Sequence, residues 1–200
     1  MTTDAPEPEA NFPDVAIGPK RALVGLIALA VLYAVIFVWL GAATHLGTWP
    51  RLASLYLATS FLVLSYIDMR TGLLPDLLTF PLIATGLVYA AWFTGQWELA
   101  LAGAFVGYGL IAGLSLVWRN LRGQDGIGLG DAKLLSGIGA WLGLAGLPFV
   151  VLLASGIGLI IALIASQKSQ DERHMTAIAF GPFLALAGWV FWCTGQVAFL

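Results

Sequence analysis

Charge is what this sequence has least of. Of its 200 residues, 10% are Asp, Glu, Lys or Arg and 60% are hydrophobic, against about 25% and about 45–50% in an average soluble domain. So few polar side chains could not cover a water-soluble surface without a very large apolar patch. That excludes a soluble globular enzyme and a disordered chain. There is no run of basic residues and the net charge is −2, which leaves no electrostatic footprint for a phosphate backbone and excludes nucleic acid as a partner. Cys193 is the single cysteine, so an internal disulfide and a multi-cysteine zinc site are both forbidden. No metal and no other cofactor is expected. What remains is a polytopic, all-α membrane protein whose partner is the lipid bilayer, since about seven spans of about 20 residues would use roughly 140 positions.

Residues 1–20 are acidic, proline-bearing and aperiodic, and read as a flexible cytoplasmic tail. They lack the basic start of a signal peptide, and the apolar run behind them is too long for a signal core, so it reads as a retained span. Apolar blocks between punctuating residues predict seven transmembrane helices near 22–43, 51–68, 77–94, 98–118, 131–146, 148–166 and 180–199, one domain over 21–200. With the N-terminus inside, Lys20, Arg21, Arg70, Arg119, Arg122, Lys133, Lys168 and Arg173 are cytoplasmic and only Arg51 is external. That is a strong positive-inside bias, and an odd span count makes the C-terminus external. Trp49, Trp97 and Trp118 fall near the interfaces, as an aromatic belt would place them. Gly103-x-x-x-Gly107, Gly109-x-x-x-Gly113 and Gly139-x-x-x-Gly143 either let helices approach closely or reflect the general frequency of glycine in membrane helices.

Ionisable groups near membrane segments are costly and are functional candidates. Of the 11 acids, Asp4, Glu7, Glu9 and Asp14 lie in the tail, Asp171 and Glu172 in a polar loop, and Glu98 at an external helix start. Solvation accounts for all of these. Asp68, Asp76, Asp125 and Asp131 remain, concentrated in two cytoplasmic segments, YIDMRTGLLPDLLTFP and DGIGLGDAKLL. Asp68 ends span 2 at the unfavourable, negative end of the macrodipole; a pair with Arg70 or exposure at the headgroups is its ordinary explanation. Asp131 opens span 5, where an N-cap role needs no catalysis. Asp76 after Pro75 reads as an N-cap, and Asp125 as a solvated loop residue. Lys133 reads as snorkelling to headgroups, with tuning of a site as the lesser alternative.

Asp68 and Asp131 share a depth at cytoplasmic helix ends, so helix packing can bring them together. Two carboxylates in one site do not both ionise readily; one keeps a proton while the other acts as base. Such a pair performs aspartic proteolysis, one group activating water and the other protonating the carbonyl. The flanking helix ends suggest Asp68 as the protonated partner and Asp131 as the ionised one, although such a pair titrates as a unit. A proton- or ion-coupled transporter is the alternative use of paired aspartates. Gly126, Gly128 and Gly130 lack the strand and fingerprint of a nucleotide loop and better suit a sharp turn approaching a peptide. The loops at 69–75 and 119–130 are expected to be the mobile parts that admit substrate and water.

On these residues the sequence resembles the type IV prepilin peptidases. YIDMRTGLLPDLLTFP is similar to that family's D-x6-P-D element, GIGLGDAKLLSGIGAWLG to its G-x-G-D-x-K-L-L element, and AFGPFLAL at 179–186 to an element near its C-terminus. The resemblance covers about residues 20–200 and implies a membrane aspartic endopeptidase of the GxGD type in the bacterial inner membrane. Such an enzyme removes the leader of prepilins or of secretion pseudopilins, cutting after a glycine at the cytoplasmic face. It implies that Asp68 and Asp131 are catalytic. Pro75, Asp76, Gly128, Gly130, Lys133, Gly181 and Pro182 match motif positions without an assigned catalytic role, the last two shaping the start of span 7 near the site. Longer family members carry a cytoplasmic methyltransferase domain with Cys-x-x-Cys pairs, so the resemblance is to the peptidase half alone and N-methylation is expected to be absent.

Overall fold

Apolar runs this long must satisfy their backbone hydrogen bonds internally once out of water, and helices do so within a single segment. The computed structural model describes residues 19–41, 48–122, 128–168 and 179–198, which contain helices and turns and no strand. The α-helices are α1 (Pro19–Gly41), α2 (Thr48–Thr71), α3 (Asp76–Tyr89), α4 (Trp97–Arg122), α5 (Leu129–Leu142), α6 (Leu147–Lys168) and α7 (Gly181–Ala198). A π-helical turn, Ala90–Thr94, extends α3, and a 3-10 turn, Leu144–Gly146, joins α5 to α6. The helical segments follow the expected blocks to within a few residues. The tail before Pro19, Asp125 and Gly126, and the polar loop holding Asp171, Glu172 and Arg173 lie outside the described residues.

Among the described residues, four stretches are long and apolar enough to cross a bilayer: Trp49–Thr71, Asp76–Thr94, Trp97–Leu121 and Leu144–Ile164. Leu23–Val38 and Gly181–Gly195 are shorter apolar helices. The 14 residues of α5 rise roughly 21 Å at 1.5 Å each, short of a hydrocarbon core of roughly 30 Å. Nor does it face lipid along its middle, because every residue from Leu134 to Ala140 is buried. α5 is the bundle's inner helix, with α3, α4, α6 and α7 packed on it.

Glycine makes that central position possible. Gly103 of α4 and Gly139 of α5 lie backbone against backbone, so a Cβ on either would collide with the other's carbonyl oxygen. A Cβ on Gly107 would come within 2.6 Å of the Leu135 carbonyl oxygen, and real side chains do not tolerate that. Gly109 and Gly113 face open space instead. Two of the three small-residue motifs therefore take part in packing and the third does not. The other side of the core is aromatic. Trp189 of α7 stacks on Tyr33 of α1 with ring centroids 5.3 Å apart and donates its indole N–H to the Tyr33 carbonyl at 3.2 Å. Trp192 donates to the Ser54 hydroxyl of α2 at 2.9 Å. Trp49, Trp97 and Trp118 lie exposed near helix ends, in keeping with an interfacial belt.

Candidate active site

The C-terminal end of α2 and the N-terminal ends of α3, α5 and α7 converge, and each delivers residues singled out in the sequence. Asp68 lies one turn before the end of α2, whose exit is a tight turn closed by the Gly72 N–H on the Asp68 carbonyl at 2.8 Å. Gly72 takes a φ of +64° there, and four residues later α3 begins. The chain from one aspartate motif element to the next is thus short and folded back on itself.

Asp68 is 5% exposed. Exposure at the headgroups therefore does not describe it, and the pair with Arg70 is not formed. Arg70 instead reaches Tyr66, donating to its hydroxyl at 3.4 Å with the guanidinium 5.9 Å from the ring centroid. The partner of Asp68 is Gly181, whose backbone N–H donates to Oδ2 at 3.0 Å. The local sequence explains why that donor is free. The Phe180 carbonyl accepts from the N–H groups of Phe183 and Leu184 at 3.1 and 3.2 Å, which makes Phe180 the cap of α7. Gly181 then opens the helix with an N–H that has no partner within it, and Pro182 has no N–H at all. Asp68 supplies the missing acceptor from another helix. The unfavourable end of α2 is thereby offset by the positive end of α7, which weakens the α2 half of the expected division of acid and base roles and leaves its α5 half untouched. A Cβ on residue 181 would fall 2.6 Å from Asp68 Oδ2, so only glycine fits.

Asp131 sits half-buried in the first turn of α5. The N-cap expectation is corrected for both Asp131 and Asp76. The capping residues are Gly128 and Pro75, both in extended conformation and neither with a side-chain cap hydrogen bond. The caps act through backbone carbonyls: Gly128 accepts the Asp131 N–H at 3.2 Å, and Pro75 accepts Leu78 and Thr79 at 3.1 and 3.2 Å. The two carboxylates are left for other partners. Asp131 Oδ2 lies 3.9 Å from where a Cβ on Gly128 would stand, and Asp76 forms an ion pair with Lys133 of α5. Lys133 also lies 5.8 Å from the centroid of the Phe80 ring, so its ammonium is engaged by α3 rather than by headgroups.

Next to that pair, buried Leu74 seats on Gly130, where a Cβ would lie 3.1 Å from the Leu74 Cβ and 3.4 Å from its backbone N. The stretch between Asp68 and Asp76 is therefore fastened to the first turns of α5 at two points. Leu74 and Phe80 were not singled out in the sequence. Both sit inside the YIDMRTGLLPDLLTFP segment, but an apolar residue in an apolar chain carries no signal of its own. Among the described residues no cluster of three metal-ligating side chains occurs.

The profile described as "Type IV leader peptidase family" matches residues 55–163, a stretch that holds both aspartates, Asp76 and Lys133. A curated "Prepilin leader peptidase/N-methyltransferase" from Burkholderia pseudomallei (strain 1026b) is 43% identical over 138 residues, covering 68% of this chain and 44% of that protein. A protein of the same name from Aeromonas salmonicida (strain A449) is 39% identical over 179 residues, covering 88% of this chain and 58% of its own length. The Pseudomonas aeruginosa protein of that name is 38% identical over 177 residues, with 88% and 58% covered. The chain thus spans about half the length of the curated relatives it matches. No solved structure matches it.

Proposed function

This chain belongs to the type IV leader peptidase family, and on that premise we propose that it is a membrane-embedded aspartic endopeptidase. Its substrates are prepilins of type IV pili or pseudopilins of type II secretion, cleaved after a glycine at the cytoplasmic face. The observation that carries this reading is the placement of Asp68 and Asp131. They stand on different helices, at ends that the Asp68–Gly181 bond, the Asp76–Lys133 pair and the Leu74–Gly130 contact draw together, where a peptide and water can arrive together. A transporter would hold such groups near the bilayer midplane, and nothing here favours that reading.

In the mechanism the two aspartates share one proton. The ionised carboxylate takes a proton from a water molecule as the water oxygen attacks the scissile carbonyl carbon. The protonated one donates to the carbonyl oxygen, giving a tetrahedral gem-diol. Proton transfer to the amide nitrogen then accompanies C–N cleavage, releasing the leader with a new carboxylate and the mature chain with a new amine. The Gly181 N–H holds Asp68 in place through these steps, which is the positioning that general acid–base catalysis requires.

The topology that accompanies this proposal has seven membrane segments in the inner membrane, the N-terminus and site cytoplasmic and the C-terminus external. The positive-inside distribution of basic residues supports it. The test is co-expression with a prepilin, comparing the wild-type chain with Asp68→Asn and Asp131→Asn. The wild type should remove the leader, and each variant should insert in the membrane yet leave it attached, a loss of at least about a hundredfold. Cleavage that persists in either variant would take that aspartate out of the pair.

A further inference from the structure

Away from the aspartates, at the other end of α2, a cavity of about 460 Å³ opens between α1 and α2. Ala30 and Ala34 of α1, Ala58 and Leu62 of α2 and Trp189 of α7 line it. Arg51, exposed in the first turn of α2, lines it too. We propose that this groove binds an anionic phospholipid, with one acyl chain laid along α2 and the phosphate on Arg51. The proposal rests on the membrane reading above and not on the peptidase reaction.

Three observations set the occupant. The first is polarity. The Ser54 hydroxyl in the lining already donates to the Pro50 carbonyl at 2.8 Å and accepts from Trp192 at 2.9 Å. The Trp189 N–H is likewise taken, by the Tyr33 carbonyl at 3.2 Å. Those two groups have nothing to offer a polar guest; the Tyr33 hydroxyl has no partner among the described residues but is buried rather than exposed, and the alanine and leucine surface suits hydrocarbon.

Length is the second. From Arg51 to Leu62 the groove follows α2 for roughly 16 Å at about 1.5 Å per residue. Half of a roughly 30 Å hydrocarbon core is nearly the same distance, so the groove runs from headgroup level to mid-bilayer, the depth of one leaflet.

The third observation is charge. Arg51 is the one basic residue that the positive-inside pattern leaves on the outer side, so topology does not account for it. The ion pair found among the described residues is Lys133–Asp76, and no described acid engages Arg51. A guanidinium at the interface offers two parallel N–H donors to a phosphate. A lipid whose headgroup carries net negative charge answers it better than a zwitterion, whose own ammonium competes for the phosphate.

Native mass spectrometry of the full chain, purified from membranes in detergent and titrated with phosphatidylglycerol or phosphatidylethanolamine, reads this out. Wild type should retain phosphatidylglycerol, and Arg51→Gln should retain it roughly fivefold less, the effect of one basic group at a membrane surface. Phosphatidylethanolamine retention should differ much less between the two. Ala58→Phe, which fills the groove, should lose phosphatidylglycerol while Arg51 is intact. Equal phosphatidylglycerol retention by wild type and Arg51→Gln overturns the headgroup assignment, and unchanged retention in Ala58→Phe overturns the groove. A chain recovered in the soluble fraction overturns the membrane reading itself, whereas a lipid-binding chain that cleaves no prepilin overturns only the peptidase proposal.

Discussion

Gly181 donates its backbone N–H to Asp68 Oδ2 at 3.0 Å across a sequence separation of 113 residues. The bond joins the negative end of one helix to the positive end of another through the side chain between them. It gives a buried carboxylate the acceptor role it needs, and it gives the first turn of α7 the cap that Pro182 and the local sequence leave open. A carboxylate held by a backbone amide has little freedom to turn, because the amide belongs to a helix packed on α1, α2, α5 and α6.

Gly181→Ala is expected to damage activity and stability together. Its methyl group would stand 2.6 Å from Asp68 Oδ2, forcing Asp68 or α7 to move at a cost of about 1–3 kcal/mol, as overpacking does. Thermal melting in detergent and prepilin cleavage measure the two effects. A fully active, fully stable variant would show that the close approach does not matter.

The Asp76–Lys133 pair is partly exposed, with side chains 54% and 27% accessible. Pairs of this kind contribute about 0–1 kcal/mol to stability, so Asp76→Asn and Lys133→Gln should melt close to wild type. Their effect should fall on kcat, because the pair and the Leu74–Gly130 seat together hold the α2–α3 turn on α5. The charge-reversed double variant, Asp76→Lys with Lys133→Asp, should recover part of the lost kcat. A double-mutant cycle with no coupling energy would remove the positioning role.

The three glycine motifs should respond unequally to Ala. At Gly103, Gly107 or Gly139 the added Cβ meets backbone of the facing helix, so α4 and α5 must separate and the melting temperature should fall clearly. At Gly109 or Gly113 nothing lies within 4 Å. Stability there should hold or rise by up to about 1 kcal/mol, since Ala is the better helix former. Equal losses at both sets would contradict the α4–α5 contact.

The proposed topology can be read from single cysteines in a Cys193→Ser background, since the native thiol is buried. Glu98→Cys, in the first turn of α4, should react with a membrane-impermeant maleimide in intact cells. Thr71→Cys, exposed at the end of α2, should react only after the membrane is opened. The opposite pattern would invert the chain and place the aspartates outside.

Helix positions, the class of protein and the two aspartate segments were all legible in the linear chain. Long apolar runs admit one kind of structure, and charges in so apolar a chain are rare enough to stand out. The role of α5 was not legible. A 14-residue helix with apolar residues on every face reads the same whether lipid or protein surrounds it, and only the glycines of α4 against it decide the matter. The partners of Asp76 and Lys133 were hidden for a related reason. Each has a sufficient local explanation, a cap or a snorkelling chain, and local rules cannot see a side chain from another helix. Asp68 shows the limit most clearly: its own helix makes the position unfavourable, and the compensating dipole comes from residues 113 positions away. What the sequence determined by itself was the material, apolar helices and two short segments that hold the aspartates. Only the tertiary structure decided which helix ends meet, because the packing of glycine on carbonyl and the capping of one helix by another are properties of pairs.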